Sequence, residues 1–157
     1  RACRLGTIGS KEINCICVPP RKGSILSHVL TTAHRNDAAV APELLSSLQG
    51  WDIEFALEDA AYDREQICKT AEQWDIFFVS LMNWRNSEER HDAYGRVIPV
   101  FLNTRFGKWL FGLRSTIERV FNQWKMNGLE QPRWHGLHRY LLHVQLCILI
   151  HHFEFLL

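Results

Sequence analysis

No Cys-x2-Cys pair occurs in this chain, and its five cysteines, at positions 3, 15, 17, 68 and 147, are odd in number. Neither a zinc knuckle nor a disulfide framework is indicated. Eight histidines are present, but His135-x2-His138 and the His151-His152 pair lack partner ligands at metal-binding spacing and read as surface or packed side chains. A long uninterrupted apolar run is also missing. The most apolar stretch, 140–157, is broken by His143, Gln145, His151, His152 and Glu154. It falls short of a membrane span and suits a packed terminal helix over about 136–153. The amino end has no apolar segment of the signal-peptide kind and opens on Arg1, so the chain is expected to begin within a longer protein. Internal repeats and low-complexity tracts are absent as well.

What is present suffices for one folded domain. The chain has 157 residues, 46% of them hydrophobic, with six tryptophans and nine phenylalanines, enough for a single core and against disorder. A formal net charge of only +1 hides an uneven distribution. Residues 52–92 carry eleven acids against four bases, whereas 105–139 carry seven bases (Arg105, Lys108, Arg114, Arg119, Lys125, Arg133, Arg139) against Glu118 and Glu130. A basic segment beside an acidic one suits a polyanion held near bound cations; the plainer alternative is a charge-segregated surface with no ligand.

Hydrophobic patterning predicts strands near 12–18 and 25–31 across the Pro19-Pro20-Arg21-Lys22-Gly23 turn. A helix near 40–48, a strand near 53–58, a helix near 63–73 and a strand near 75–81 follow. A polar connection over 83–104 comes next, longer than compact domains usually carry. In the 53–58 segment, Ile53, Phe55 and Leu57 alternate with Glu54, Ala56 and Glu58, which predicts a strand with one buried face. Its end places Asp59 at the carboxyl edge of a sheet, where open α/β folds carry functional groups. Asp63 is expected to be the N-cap of the following helix. Taken alone, an aspartate closing a strand is more often a turn residue.

The segment LRSTIERVFNQWK predicts an amphipathic helix. Arg114, Glu118 and Lys125 fall within about 40° of one another around its axis, while Leu113, Ile117, Val120, Phe121 and Trp124 form an adjoining apolar stripe. One face packs and another displays a carboxylate between two cations. The plain alternative is a solvated face with an ordinary Arg–Glu pair one turn apart.

Read in full, the spacing Phe111-x2-Arg114-x3-Glu118-x6-Lys125 resembles the Tyr-x2-Arg-x3-Glu-x6-Lys signature of bacterial insertion-sequence transposases of the DDE class. Phe111 keeps the ring of that tyrosine and loses its hydroxyl. Asp59-Ala60-Ala61-Tyr62-Asp63 is similar to the family's Asp-x-(Gly/Ala)-Tyr-(Asp/Asn) segment, and 27–37 to its strand followed by a T-x-x-(N/H)-x-x-D turn, with Asp37 read as a capping or turn residue. The resemblance spans roughly 23–153. It implies an α/β fold with an RNase H-like mixed sheet flanked by helices. It also implies that the sheet lacks its first strand, because the Asp-Ser/Thr context of the first catalytic aspartate is not found. The whole of 1–157 would then be one partial catalytic domain.

The same resemblance implies that Asp59 and Glu118 are catalytic and bind Mg²⁺, with Mn²⁺ as a substitute, since hard cations take carboxylate oxygens. Arg114, Lys125, Arg119 and Arg133 would contact DNA phosphates. The implied partner is DNA, both insertion-sequence ends and target, with a homodimer in the DNA complex, no membrane, and a place in the bacterial cytoplasm at the nucleoid. Two carboxylates where the family uses three imply that this chain alone does not cleave. An inactive remnant that keeps DNA or partner contacts, and a non-enzymatic interaction domain in which Glu118 merely pairs with Arg114, are the alternatives.

Overall fold

The structure is a computed structural model that describes residues 2–8, 13–18, 24–31, 37–83, 93–133 and 136–154. Five strands, β1 (Ala2–Ile8), β2 (Ile13–Val18), β3 (Ser24–Leu30), β4 (Phe55–Glu58) and β5 (Phe77–Ser80), form one sheet in the order β3-β2-β1-β4-β5. The first three are joined by short connections and pair antiparallel. To reach β4 and β5 the chain passes through helices α1 (Asp37–Ser46) and α2 (Glu65–Gln73). A helical crossover returns the chain in the same direction, so β4 runs parallel to both β1 and β5.

Here the structure corrects the expectation of a sheet lacking its first strand. Among the described residues a strand precedes those read from the sequence, and it lies at the centre of the sheet between β2 and β4. The segment ACRLGTI carries a glycine mid-strand and weak alternation, so pairing on both edges defines it more than its own pattern does.

Strand β4 also departs from its predicted single buried face. Ala56, Leu57 and Glu58 are all buried, because a parallel strand flanked by crossover helices is covered on both sides. Ala56 and Phe78 pack with Val40, Leu44, Leu45, Ile67 and Ala71 of α1 and α2 on one face. Leu57 and Val79 pack on the other face with Leu110 and the partly buried Phe101, Phe111 and Leu113.

Those last residues belong to helices that follow β5. Residues 84–92 lie outside the described residues, and the later part of the segment read as a polar connection forms α3 (Ala93–Asn103). Thr104 caps the next helix, α4 (Arg105–Gly112), its Oγ1 accepting from the Gly107 N–H at 2.9 Å. At Gly107 a Cβ would lie 2.1 Å from the Phe101 carbonyl oxygen, so only glycine permits this close approach of α3 to α4.

Helix α5 (Ser115–Met126) follows α4 across Leu113 and Arg114, both in helical dihedrals. The ladder tightens there to three-residue bonds, Arg114 N–H to Phe111 O and Thr116 N–H to Leu113 O. The predicted 113–125 helix is realised as α5, which a step at Leu113 and Arg114 separates from α4. Its apolar stripe is realised: Ile117, Val120, Phe121 and Trp124 are buried against Ile25 of β3 and Tyr140, Val144 and Cys147 of α6 (Leu137–Phe153).

A Schellman turn ends α5. Leu129 N–H donates to Trp124 O at 3.0 Å and Gly128 N–H to Lys125 O at 3.1 Å, with Gly128 at φ +86° and Leu129 wholly buried beside Trp124. The turn sends the chain back so that α6 runs antiparallel to α5, with His143 Nε2 3.1 Å from Gly128 O and the His151 ring 5.8 Å from that of Trp124. Helix α6 buries Tyr140, Val144, Cys147 and His151 along one stripe and leaves Leu142, Leu146, Leu149 and Phe153 exposed on another. No helix among the described residues is long and apolar enough to cross a membrane.

A backbone bond ties α6 to the sheet: Ile25 N–H donates to His152 Nε2 at 3.0 Å. Burial, and secondarily the neighbouring His151, holds the His152 imidazole below its ordinary value. Only the neutral ring accepts this bond. Its contribution is therefore complete above about pH 6.5 and is lost as pH falls through the lowered native value. Burial lowers His28 on β3 in the same sense. The urea midpoint should accordingly be lower at about pH 5 than at about pH 7.5. In His152→Gln, whose amide oxygen accepts at either pH, that difference should shrink; an undiminished pH response would show that this bond does not fasten α6.

Candidate active site at the carboxyl edge of the sheet

Asp59 follows directly on β4. Its backbone is extended, at φ −78° and ψ 164°, and its carbonyl accepts from Tyr62 N–H at 3.0 Å to start the short 3-10 turn Ala60–Tyr62. Tyr62 is buried in the α1–α2 core, which anchors the turn and holds Asp59 at the carboxyl ends of the parallel strands. Alternation along β4 puts Asp59 on the side of Phe55 and Leu57, the side covered by α4.

Arg114 comes to meet it. From the step between α4 and α5, its Nη1 forms an ion pair with Asp59 Oδ1. Phe111, one turn earlier, lies with its ring centroid 5.0 Å from the guanidinium carbon, in cation–π geometry. The guanidinium is thus held between a carboxylate and an aromatic face, and the i,i+3 spacing of Phe111 and Arg114 has a physical reason. The Arg114 side chain is 27% exposed and that of Asp59 45%, so the pair sits at the rim of the sheet rather than within it.

Glu118 lies in the first turn of α5, exposed, four residues after Arg114. That separation is one helical turn, about 6 Å along the axis. A carboxylate in the first turn also faces the positive end of the helix dipole. Lys125, in the last turn, pairs with Glu130 at 3.0 Å across the Schellman turn. Arg119 is exposed and donates from Nη2 to Thr116 Oγ1 at 3.3 Å; Arg133 is exposed beyond the turn.

Of the site residues expected from sequence, the structure therefore brings together Asp59, Arg114 and Phe111 by direct contact, with Glu118 one turn away. Lys125, Arg119 and Arg133 stand further along α5 and the turn that ends it. Asp63 is not the N-cap of α2. Arg64 holds that position without a side-chain capping bond, and the Asp63 carboxylate instead accepts from Asn83 N–H at 2.9 Å. The 3-10 turn moves the helix start one residue on, freeing Asp63 to tie the segment after β5 to the segment after β4. Asp37 is the first residue of α1.

Two exposed aromatic side chains on α4, toward the amino end of β4, were not singled out from the sequence. Phe106 and Trp109 on α4 are 51% and 59% exposed, with ring centroids 5.7 Å apart, and Phe106 also meets Phe55 and Phe101 edge-on. Their spacing of three residues beside Lys108 would have been the signal.

As a cation site the donor set is partial. Asp59 carries hard oxygen donors, and a cation, the Arg114 guanidinium, already rests on it. Among the described residues no group of three or more His, Cys, Asp or Glu is gathered for a metal ion. Strand β1, the parallel neighbour of β4, contains no acid in its seven residues. The register Arg4↔Leu57, continued two residues, brings Gly6 level with Asp59.

The arrangement is that of a mixed α/β domain whose charged cluster stands at the carboxyl edge of its parallel strands. Residues 13–153 match the family described as the transposase DDE domain, and the chain belongs to that family. Membership ties it to DNA transposition. No curated protein matches the chain as a relative.

If the Asp59–Arg114 pair serves a site rather than the fold, its loss should cost little stability, because partly exposed ion pairs contribute about 1 kcal/mol or less. Asp59→Asn and Arg114→Gln should each shift the unfolding free energy by no more than about that amount in urea titrations. A loss above about 2 kcal/mol would make the pair a structural element.

Proposed function

We propose that this chain is the DNA-handling part of an insertion-sequence transposase catalytic domain, with Asp59 and Glu118 as its catalytic carboxylates. The observation that carries the reading is the Asp59–Arg114 ion pair. Two motifs that are separate in sequence, a strand-end aspartate and an Arg-x3-Glu helix face, meet at one place, as a common site requires. The sheet order β3-β2-β1-β4-β5, antiparallel then parallel, supports an RNase H-like core.

In this reading Arg114, Arg119, Lys125 and Arg133 receive the phosphates of the DNA backbone. Arginine does so through a planar fork that matches phosphate geometry, lysine as a point charge. Asp59 and Glu118 would hold Mg²⁺, or Mn²⁺ in its place. When bound, such an ion supplies charge stabilisation for the attacking and leaving oxygens of a phosphodiester displacement. Arg114 positions Asp59 from beneath, and the α4–α5 step sets the reach of both Arg114 and Glu118. A homodimer assembled on DNA, with insertion-sequence ends and target as its substrates, belongs to the same reading, as does a cytoplasmic, nucleoid-associated setting.

A second reading is favoured by the composition of β1. With no acid on the strand beside Asp59, two carboxylates leave a cation pair short of ligands and of neutralising charge. The chain would then bind DNA and not cleave it, as a remnant or as a modulator of a complete transposase.

Two measurements test these readings. Duplex DNA affinity should fall steeply with salt, and Arg119→Gln with Arg133→Gln should reduce the slope of log K against log salt by about 1.8, two phosphate contacts at about 0.9 each. An unchanged slope would move the contact surface elsewhere. In cleavage assays on insertion-sequence ends with Mg²⁺ or Mn²⁺, the 157-residue chain should be inactive. Robust cleavage dependent on Asp59 would show that two carboxylates suffice, and cleavage dependent on another acid, such as Asp37, would relocate the site.

A further inference from the structure

We propose that the outward face of α6 is a self-pairing surface, on which the α6 of a second copy of this chain packs antiparallel with no DNA required. Such a pair owes nothing to Asp59 or Glu118, and it differs from a homodimer assembled on DNA in forming before DNA is met.

Helix α6 is apolar on two opposite sides. Tyr140, Val144, Cys147 and His151 face the body of the domain and are buried. Leu142, Leu146, Leu149 and Phe153, 40 to 54% exposed, form a second stripe centred about 200° from the first around the axis. A surface helix ordinarily shows solvent a polar face. Here the four outward side chains fall within about 60° of one another, with the exposed Ile150 at their border. Their spacing of four, three and four residues is that of a coiled-coil seam, and the cover that matches such a seam is another helix with the same spacing.

Charge placement selects a second copy and its direction. The helix sequence LHRYLLHVQLCILIHHF holds one Lys or Arg, Arg139, and no Asp or Glu. Arg139 is exposed and continues the seam by one step toward the amino end. Glu154 follows at the carboxyl end, where its carboxylate accepts from Gln123 Nε2. In a parallel pair Arg139 would meet its own copy, like charge against like. Antiparallel, Leu142 faces Phe153 of the second copy and Leu146 faces its Leu149, and each Arg139 reaches the other helix's carboxyl end. There Glu154 and the last unsatisfied carbonyls present negative charge. A two-fold pair makes this contact at both ends, because the surface is its own complement. A lipid surface would call for a fringe of Lys and Arg along the helix, and one arginine does not supply it. Helix α6 is 17 residues long, about 25 Å. One helix pair of that length falls below the area of a standard interface, so the dimer is reversible and depends on concentration.

Sedimentation equilibrium of the whole chain without DNA is the test. The mean mass should rise from 18.4 kDa toward twice that value with concentration and stop there. Leu146→Glu should weaken the association about tenfold or more, because it drives a carboxylate into the apolar seam of the second copy, and Leu149→Lys should do the same. Both side chains are exposed in the single chain, so the urea midpoint of each variant under monomeric conditions should stay where it was. Mixing the two variants should restore a dimer, since the antiparallel register sets position 146 of one chain against position 149 of the other. A chain that is monomeric at every concentration, a mass that climbs past the dimer, or a dimer that appears only with a duplex would overturn self-pairing. Association untouched by Leu146→Glu and Leu149→Lys would overturn it too, by placing the contact elsewhere, and mixed variants that stay apart would overturn the antiparallel register. None of these outcomes bears on the phosphate contacts, which the salt dependence of DNA affinity tests separately.

Discussion

The double burial of β4 is the constraint on which the rest of this structure depends. A four-residue strand held between two parallel neighbours and covered on both faces has no freedom of register. A slip of one residue would exchange Leu57 with Ala56 and drive a large side chain into the α1–α2 core. Because the register is fixed, so is the position of the next residue. Asp59 emerges where the strand ends and the 3-10 turn begins, on the α4 side of the sheet. The neighbouring Glu58 is turned to the opposite side and wholly buried, which shows how completely the pleat decides between two adjacent acids.

Helices α4 and α5 are placed by the same core. Leu110 and Phe111 pack over β4 and β5, Ile117 and Trp124 over β3 and α6. The step at Arg114 lies where one packing surface gives way to the other, which is why an arginine there can leave the helix surface and reach the sheet edge. Uneven charge along the chain acquires a spatial meaning from this arrangement. The strand-end Asp59 of the acidic middle segment meets Arg114 of the basic segment. Lys125 is paired with Glu130, while Arg105, Lys108, Arg119 and Arg133 are exposed.

Periodic features were legible from the sequence and non-local ones were not. The Ile117–Trp124 stripe, the strand ending at Glu58 and the terminal helix each repeat within a few residues, and a repeat that short survives without tertiary information. Strand β1 was not legible, because its partners on β4 lie 53 residues away and Gly6 interrupts its pattern. Burial of both faces of β4 was masked by Glu54 and Glu58, whose polarity mimics a solvated face. Asp63 was misread because an aspartate before a helix is the usual N-cap, while its carboxylate here serves a backbone amide twenty residues on. For the site, sequence spacing singled out Asp59 and the Arg114–Glu118 face separately. Their meeting is a property of the α4–β4 packing, which no local pattern encodes.

The account stands on one claim, that the strand-end aspartate and the α5 glutamate form a single site for cation and DNA. Anomalous scattering from Mn²⁺ in crystals of the chain with a short duplex addresses it most directly. The account predicts one Mn²⁺ peak shared by the Asp59 and Glu118 carboxylates, beside a phosphate of the duplex. A duplex seated on another face, or Mn²⁺ held by other residues, would contradict it.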